Sequence, residues 1–171
     1  MIAGIDLSTK AIDLVAINED NPAQCEHHRI PLNDPWWHSA TSMRFRFTLN
    51  HTHNWLEQRN VYLVGIERPY GPSRQTIASL HTILGAVLAT LPVHAFEISP
   101  ADMRRELGLK TNCHKSTLHD AVWVAVNGPP GDQTRWHQPD PLKGWPPDAY
   151  DAWAVAHAAM KINERGTPIA A

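Results

Sequence analysis

The sequence contains no stretch of about 18 continuous apolar residues, which excludes an apolar membrane-spanning helix. Its first residues lack the basic-then-apolar order of a secretion signal. Cysteine is scarce. Cys25 and Cys113 are too few for a disulfide framework and suit free thiols in a reducing compartment, so a cytoplasmic setting is expected. A basic excess is also missing: 15 Lys and Arg stand against 17 Asp and Glu, for a net charge of -2. A protein that grips a polyanion over its whole surface is normally basic, so any such partner must be met by a local cluster. What remains, 171 residues with 43% hydrophobic content, suits one globular domain, 1–171, with a real core.

The pattern along the chain predicts an α/β fold. Ile2 to Leu7 and Ala11 to Ile17 read as a hairpin across Ser8-Thr9-Lys10. After the turn residues Asn18 to Pro22, His27 to Leu32 reads as a third strand. A helix is expected from about Ser39 to Gln58, then a short buried strand from Val61 to Ile66 that presents Glu67. From Ser73 to Leu91, Ile77, Leu80, Leu84, Val87, Leu88 and Leu91 form a helical stripe, and Ala78, Gly85 and Ala89 form a second, small-residue face suited to another subunit. Val93 to Ile98 is the next strand. Ser99, Pro100 and Asp102 then spell a capped helix start that Gly108 ends. A further helix is expected to Ala125, with Leu118, Ala121, Val122 and Ala125 turned inward. Residues 128–147, with six prolines and three glycines, read as a long loop.

Two of the strands end alike, in Gly4-Ile5-Asp6 and Gly65-Ile66-Glu67. Strand alternation puts each glycine on the face of its acid, which predicts open volume beside both carboxylates. An unpartnered ionised carboxylate inside an apolar strand costs several kcal/mol. Asp148 and Asp151 lie three apart at the start of a last helix and share a face, expected to continue inward through Val155, Ala158 and Ile162. Four carboxylates gathered together repel unless a cation joins them, and oxygen donors suit Mg²⁺ or Mn²⁺. Two such ions about 4 Å apart would serve phosphodiester hydrolysis, which needs no nucleophilic side chain. No Ser-His-Asp or Cys-His arrangement stands out.

Gly4-Ile5-Asp6-Leu7-Ser8, Ile66-Glu67-Arg68-Pro69-Tyr70, Lys115-Ser116 and Asp148-Ala149-Tyr150-Asp151-Ala152, in this order and spacing, resemble the RuvC family of Holliday-junction resolvases. The resemblance runs from about residue 2 to residue 160 and is weakest between 18 and 60 and before Pro146. It implies a ribonuclease-H-like fold with a mixed five-stranded sheet and helices on both faces. It implies a homodimer, here through the helix around 77–91, and a magnesium-dependent endonuclease that nicks four-way DNA junctions in a bacterial cell or phage-infected host. By the resemblance Asp6, Glu67, Asp148 and Asp151 are the metal ligands, holding two ions, and Lys115 lies by the scissile phosphate. Tyr70 would stack on a base, and Arg68, Arg74, Arg104, Arg105 and Lys110 would join the DNA-binding set. A second basic residue of the family aligns near Met103, so Arg104 or Arg105 would take over its phosphate contact.

Other readings fit less well. A broader branched-DNA or flap nuclease would use the same residues, and a non-catalytic junction-binding module would not need all four acids. The opening hairpin is also similar to the phosphate loop of actin-like and sugar-kinase ATPases, but those place nucleotide between two related domains and 171 residues supply one. Cys25, His27, His28, Cys113 and His114 lack the paired short spacings of a zinc site. His157, nine residues beyond Asp148, is expected off the acidic face as a satisfied or surface histidine.

Overall fold

The computed structural model describes residues 1–8, 10–32, 41–69, 73–91, 93–129 and 140–166. Strands β1 (Ile2–Leu7) and β2 (Ala11–Ile17) form the expected hairpin, pairing Ile2 with Ile17 and Asp6 with Asp13. Ser8 closes its turn, donating through Oγ to the Ala11 carbonyl at 2.8 Å and accepting the Ala11 N–H at 2.9 Å. Strand β3 (Cys25–Pro31) starts two residues earlier than expected and lies half-exposed along β2. Helix α1 spans Thr41–Gln58, β4 Leu63–Glu67, α2 Arg74–Thr90 and β5 His94–Ile98. Helices α3 (Pro100–Glu106), α4 (Lys115–Asn127) and α5 (Pro147–Glu164) follow.

The five strands form one mixed sheet in the order β3-β2-β1-β4-β5. The first three are mutually antiparallel, and β4 and β5 run parallel to β1. One face, with Ile5, Ile12, Leu14 and Ile66, is buried under α1 and α2 through Trp55, Leu56, Leu80, Leu84 and Val87. The other, with Ile2, Val15, Ile17 and Leu63, is covered by α5, with α3 and α4 beyond it. The capping box of α3 is present: the Ser99 and Asp102 side chains each accept the other's backbone N–H.

Helix α5 departs from a one-sided stripe. From Asp151 to Ala156, and again from Ala158 to Met160, every residue is buried, because the sheet covers one side and α3 and α4 the other. A helix that is apolar all round belongs in the interior. Its alanines let the backbone approach the sheet, and Gly4 and Gly65, partners in the β1–β4 register, complete the seat. A Cβ on Gly4 would collide with the Ala152 carbonyl and lie 2.5 Å from the Ala156 nitrogen; one on Gly65 would lie 2.8 Å from the Val155 carbonyl oxygen. The glycines therefore do not leave open volume beside the carboxylates. The helix backbone fills that space.

Smaller differences follow from burial. In α4 the inward residues are Leu118, Val122 and Val126, while Ala125 is exposed. In α2, Leu80, Leu84 and Val87 are buried, Leu88 is exposed, and Ala78, Gly85 and Ala89 face outward. Of the proline-rich segment, residues 130–139 lie outside the described residues. Its end is not a free loop, since Leu142 is buried in the core beside α5.

The seat on the two glycines makes a steric prediction. Gly4→Ala should lower stability by more than about 3 kcal/mol or prevent folding, and Gly65→Ala should cost about 1–3 kcal/mol, as overpacking does. Urea unfolding midpoints measure both, and an unchanged midpoint for Gly4→Ala would show that α5 does not rest there.

Candidate metal centre

The seat of α5 fixes where its first turn lies. With Ala152 over Gly4, the start of the helix overhangs the ends of β1 and β4 that carry Asp6 and Glu67. Both acids share the faces of their glycines and therefore point toward α5. Carboxylate oxygens of Asp6, Asp148 and Asp151 come within 4.8 Å of one another, and Glu67 is hydrogen-bonded to Asp6. The four sequence-predicted acids thus converge. They line a cleft of about 190 Å³ together with Leu7, Ser8, Arg68, Pro69 and Lys115.

Burial and crowding act in the same direction here. Asp6 is pushed well above the ordinary carboxylate range, first by burial, then by its hydrogen bond to Glu67 and the charges of Glu67, Asp151 and Asp148. Glu67 is also raised by burial, although its bond to Asp6 and the cations Lys115 and Arg104 pull the other way. A carboxyl pair held this way shares a proton when no cation is present. Lys115, the first residue of α4, places Nζ 2.5 Å from Asp151 Oδ2 and 3.9 Å from Asp148 Oδ1. Burial alone would lower the pKa of this lysine, but the hydrogen bond and charge of Asp151, with Asp6 and Asp148, hold it above its usual value. Acid oxygens in such excess over nearby cations fit a hard divalent ion.

The basic residues separate. Arg104 is half-buried, donates to the Pro100 carbonyl at 3.0 Å, and lines a groove of about 500 Å³ that shares Glu67, Lys115 and Asp151 with the acidic cleft. Arg105 pairs instead with Asp102 and lines a different hollow with Glu106 and Arg165. Arg68 lines the cleft, with Nε 3.5 Å from Glu97. Lys110 is exposed next to Thr111 of the groove, and Arg74 is exposed at the start of α2, lining neither cleft nor groove. Tyr70 lies outside the described residues. The cysteines and histidines of the rejected zinc set do not gather: Cys25 and Cys113 are free thiols, and burial raises Cys25 to about 12. His157 is half-buried, stacked on Trp153 with ring centroids 5.1 Å apart; it bonds the Glu106 backbone, while its Nδ1 meets no partner among the described residues, so it is only partly the satisfied histidine expected.

Four residues stand around the acids outside the sequence-predicted set, His27 among them only as a rejected zinc candidate. His119, one turn after Lys115, sets Nε2 3.3 Å from Asp151 Oδ1. Asp13, opposite Asp6 in β2, is buried and paired with His27 and Arg29 of β3. The signal for Asp13 was present, an acid inside the apolar run Ala11 to Ile17. His27 and Arg29 become visible only through the β2–β3 register.

The sheet order, the mixed pairing and the helices on both faces define a ribonuclease-H-like α/β fold. Among solved structures, Thermus thermophilus RuvC in complex with Holliday junction substrate matches with a TM-score of 0.70 at 17% identity, over 96% of this chain and 95% of that one. A second Thermus thermophilus RuvC structure matches with a TM-score of 0.68 at 19% identity, over 98% of each chain. At these identities the likeness is one of fold. No protein-family model and no curated protein matches the sequence.

The raised acids give a pH prediction. Asp6 and Glu67 bind protons more tightly folded than unfolded, so stability from them is greatest below the unfolded carboxylate range of about pH 4 and is lost as pH rises through their folded values. In EDTA, Asp6→Asn should therefore gain stability over wild type on going from pH 5 to pH 8. Urea midpoints read the difference; a gap that stays constant contradicts the assignment.

Proposed function

We propose that the chain is a divalent-metal-dependent, structure-specific DNA endonuclease, a single nuclease domain that resolves four-way junctions by paired phosphodiester hydrolysis in the cytoplasm of a bacterial cell or phage-infected host. The observation that carries this reading is the convergence of Asp6, Glu67, Asp148 and Asp151 with Lys115 at one open cleft. In it, the four acids hold two Mg²⁺ ions, or Mn²⁺, per site. When bound, such ions supply Lewis-acid activation of the phosphodiester and of water.

The side chains of this protein would do the rest. Lys115, poised over Asp151, offers its ammonium to a phosphate oxygen entering the cleft. Arg104 and Arg68 flank the entry on the groove and cleft sides. Lys110, Arg74 and Arg105 are assigned to the DNA backbone farther out, and Tyr70 to stacking on a base, an interaction worth about 1–3 kcal/mol. We assign the exposed small-residue face of α2, Ala78, Gly85 and Ala89, to a homodimer, since among the described residues no neighbour lies within 4 Å of the Cβ position of Gly85. A two-fold dimer would present one site to each of two strands of like polarity in a junction.

The test is cleavage of labelled four-way, flap and linear duplex DNA with Mg²⁺. Asp6→Asn and Glu67→Gln, which remove charge at nearly constant shape, should each lose about 10²-fold or more in rate, the loss expected for an essential electrostatic group. Full activity in both variants would refute the site. Equal cutting of linear duplex would refute junction specificity, and preferential flap cutting would assign the broader branched-DNA activity.

A further inference from the structure

Strand β2 carries one charged residue, Asp13, and it is 1% exposed. The strand registers place Asp6 beside it on β1 and Arg29 beside it on β3. Arg29 Nη1 donates to Asp13 Oδ2 at 3.0 Å and lies 3.3 Å from Oδ1, while His27 Nε2 is 2.7 Å from Oδ1. The carboxylate is thus fully compensated where it lies. A buried ion pair is weak evidence for stability, because apolar residues of similar volume often serve as well. Val15 and Ile17, the next positions on the same face, are such residues.

What the pair achieves beyond stability is placement. The same Arg29 nitrogen lies 3.6 Å from Asp148 Oδ2, and Lys115 Nζ lies 3.9 Å from Asp148 Oδ1. Both distances exceed hydrogen-bonding range, so Asp148 is restrained by charge from each of its oxygens without being locked. Asp151, by contrast, is bonded directly by Lys115 and approached by His119. A guanidinium anchored by a buried acid loses little further freedom when it holds a second carboxylate. His27 adds an independent tie. Its ring packs 5.3 Å from that of Trp145, the residue that leads through Pro146 and Pro147 into Asp148.

We infer that Arg29, anchored by Asp13, is a positioning residue for Asp148, holding that carboxylate toward the cleft for an incoming divalent cation. This rests on the reading of the four acids as a metal site. The double substitution Asp13→Asn with Arg29→Gln tests it, because it removes one charge of each sign and leaves the net charge near the site unchanged. Mn²⁺ binding is measured calorimetrically on DNA-free protein, and Mg²⁺ dependence on junction cleavage, with urea midpoints as the control for folding.

The double variant should bind Mn²⁺ at least about tenfold more weakly, the usual effect of losing a residue that orients a ligand. It should need correspondingly more Mg²⁺ for half-maximal cleavage, while recovering most of the wild-type rate at saturating metal. Arg29→Lys, which keeps the charge and leaves Asp13 paired, should fall between the two and serves as the test should the double variant not fold. Wild-type Mn²⁺ affinity in the folded double variant, or in Arg29→Lys where that stands in, overturns the inference. Wild-type protein that binds no Mn²⁺ overturns the metal reading and this inference with it. Wild-type protein that binds Mn²⁺ but cuts no DNA overturns the nuclease reading alone, and the Mn²⁺ comparison still decides the role of Arg29.

Discussion

The rest of the structure depends on the contact between the α5 backbone and two glycines in adjacent strands. Gly4 and Gly65 remove the side chains that would hold a helix at ordinary packing distance, and Ala152, Ala156 and Ala159 remove those that would meet them from above. The approach is close enough that a single methyl group at position 4 would meet backbone, which cannot move aside as the end of a side chain can. The helix is consequently fixed along the sheet as well as against it. Trp153, bonded through Nε1 to the Pro22 carbonyl at 3.2 Å, pins it to the β2–β3 turn.

Such a fixed helix can bring acids together against their mutual repulsion. The Cα positions of Asp6 and Glu67 are set by strand register and those of Asp148 and Asp151 by helix phase, so their backbones cannot separate without moving a whole element. The fold thereby holds an unfavourable charge arrangement that the packing elsewhere supports, a pattern common where a site is built for a ligand rather than for stability. The surrounding cations are arranged unequally. Lys115 pairs with Asp151, Arg29 and Lys115 lie nearest Asp148, and Asp6 has Glu67 as its hydrogen-bond partner.

Much of this was legible in the sequence, for identifiable reasons. The hairpin, the α3 capping box and the four acids announce themselves through local pattern: an apolar run ended by a charge, Ser-Pro-x-Asp, two acids three apart. The meaning of the glycines was not legible. A glycine beside an acid can leave room or admit a backbone, and only the docked position of α5 distinguishes the two. The α5 stripe was underestimated for the same reason, since helical periodicity reveals one covered face and α3 and α4 cover the other. The Asp13–Arg29–Asp148 chain depends on two strand registers and a helix placement at once. No local window contains it.

The glycine seat also has a consequence for the order of events in the cell. Asp6 is synthesised more than 140 residues ahead of its neighbours Asp148 and Asp151. Until α5 docks, the strand acids have no helix above them, and the glycine furrow stands open. Long-range closure of this kind comes late in folding, and chains emerge from the ribosome from the first residue onward. The acidic centre therefore comes into being only when α5 docks, so its chemistry is withheld until two distant stretches of the chain have met.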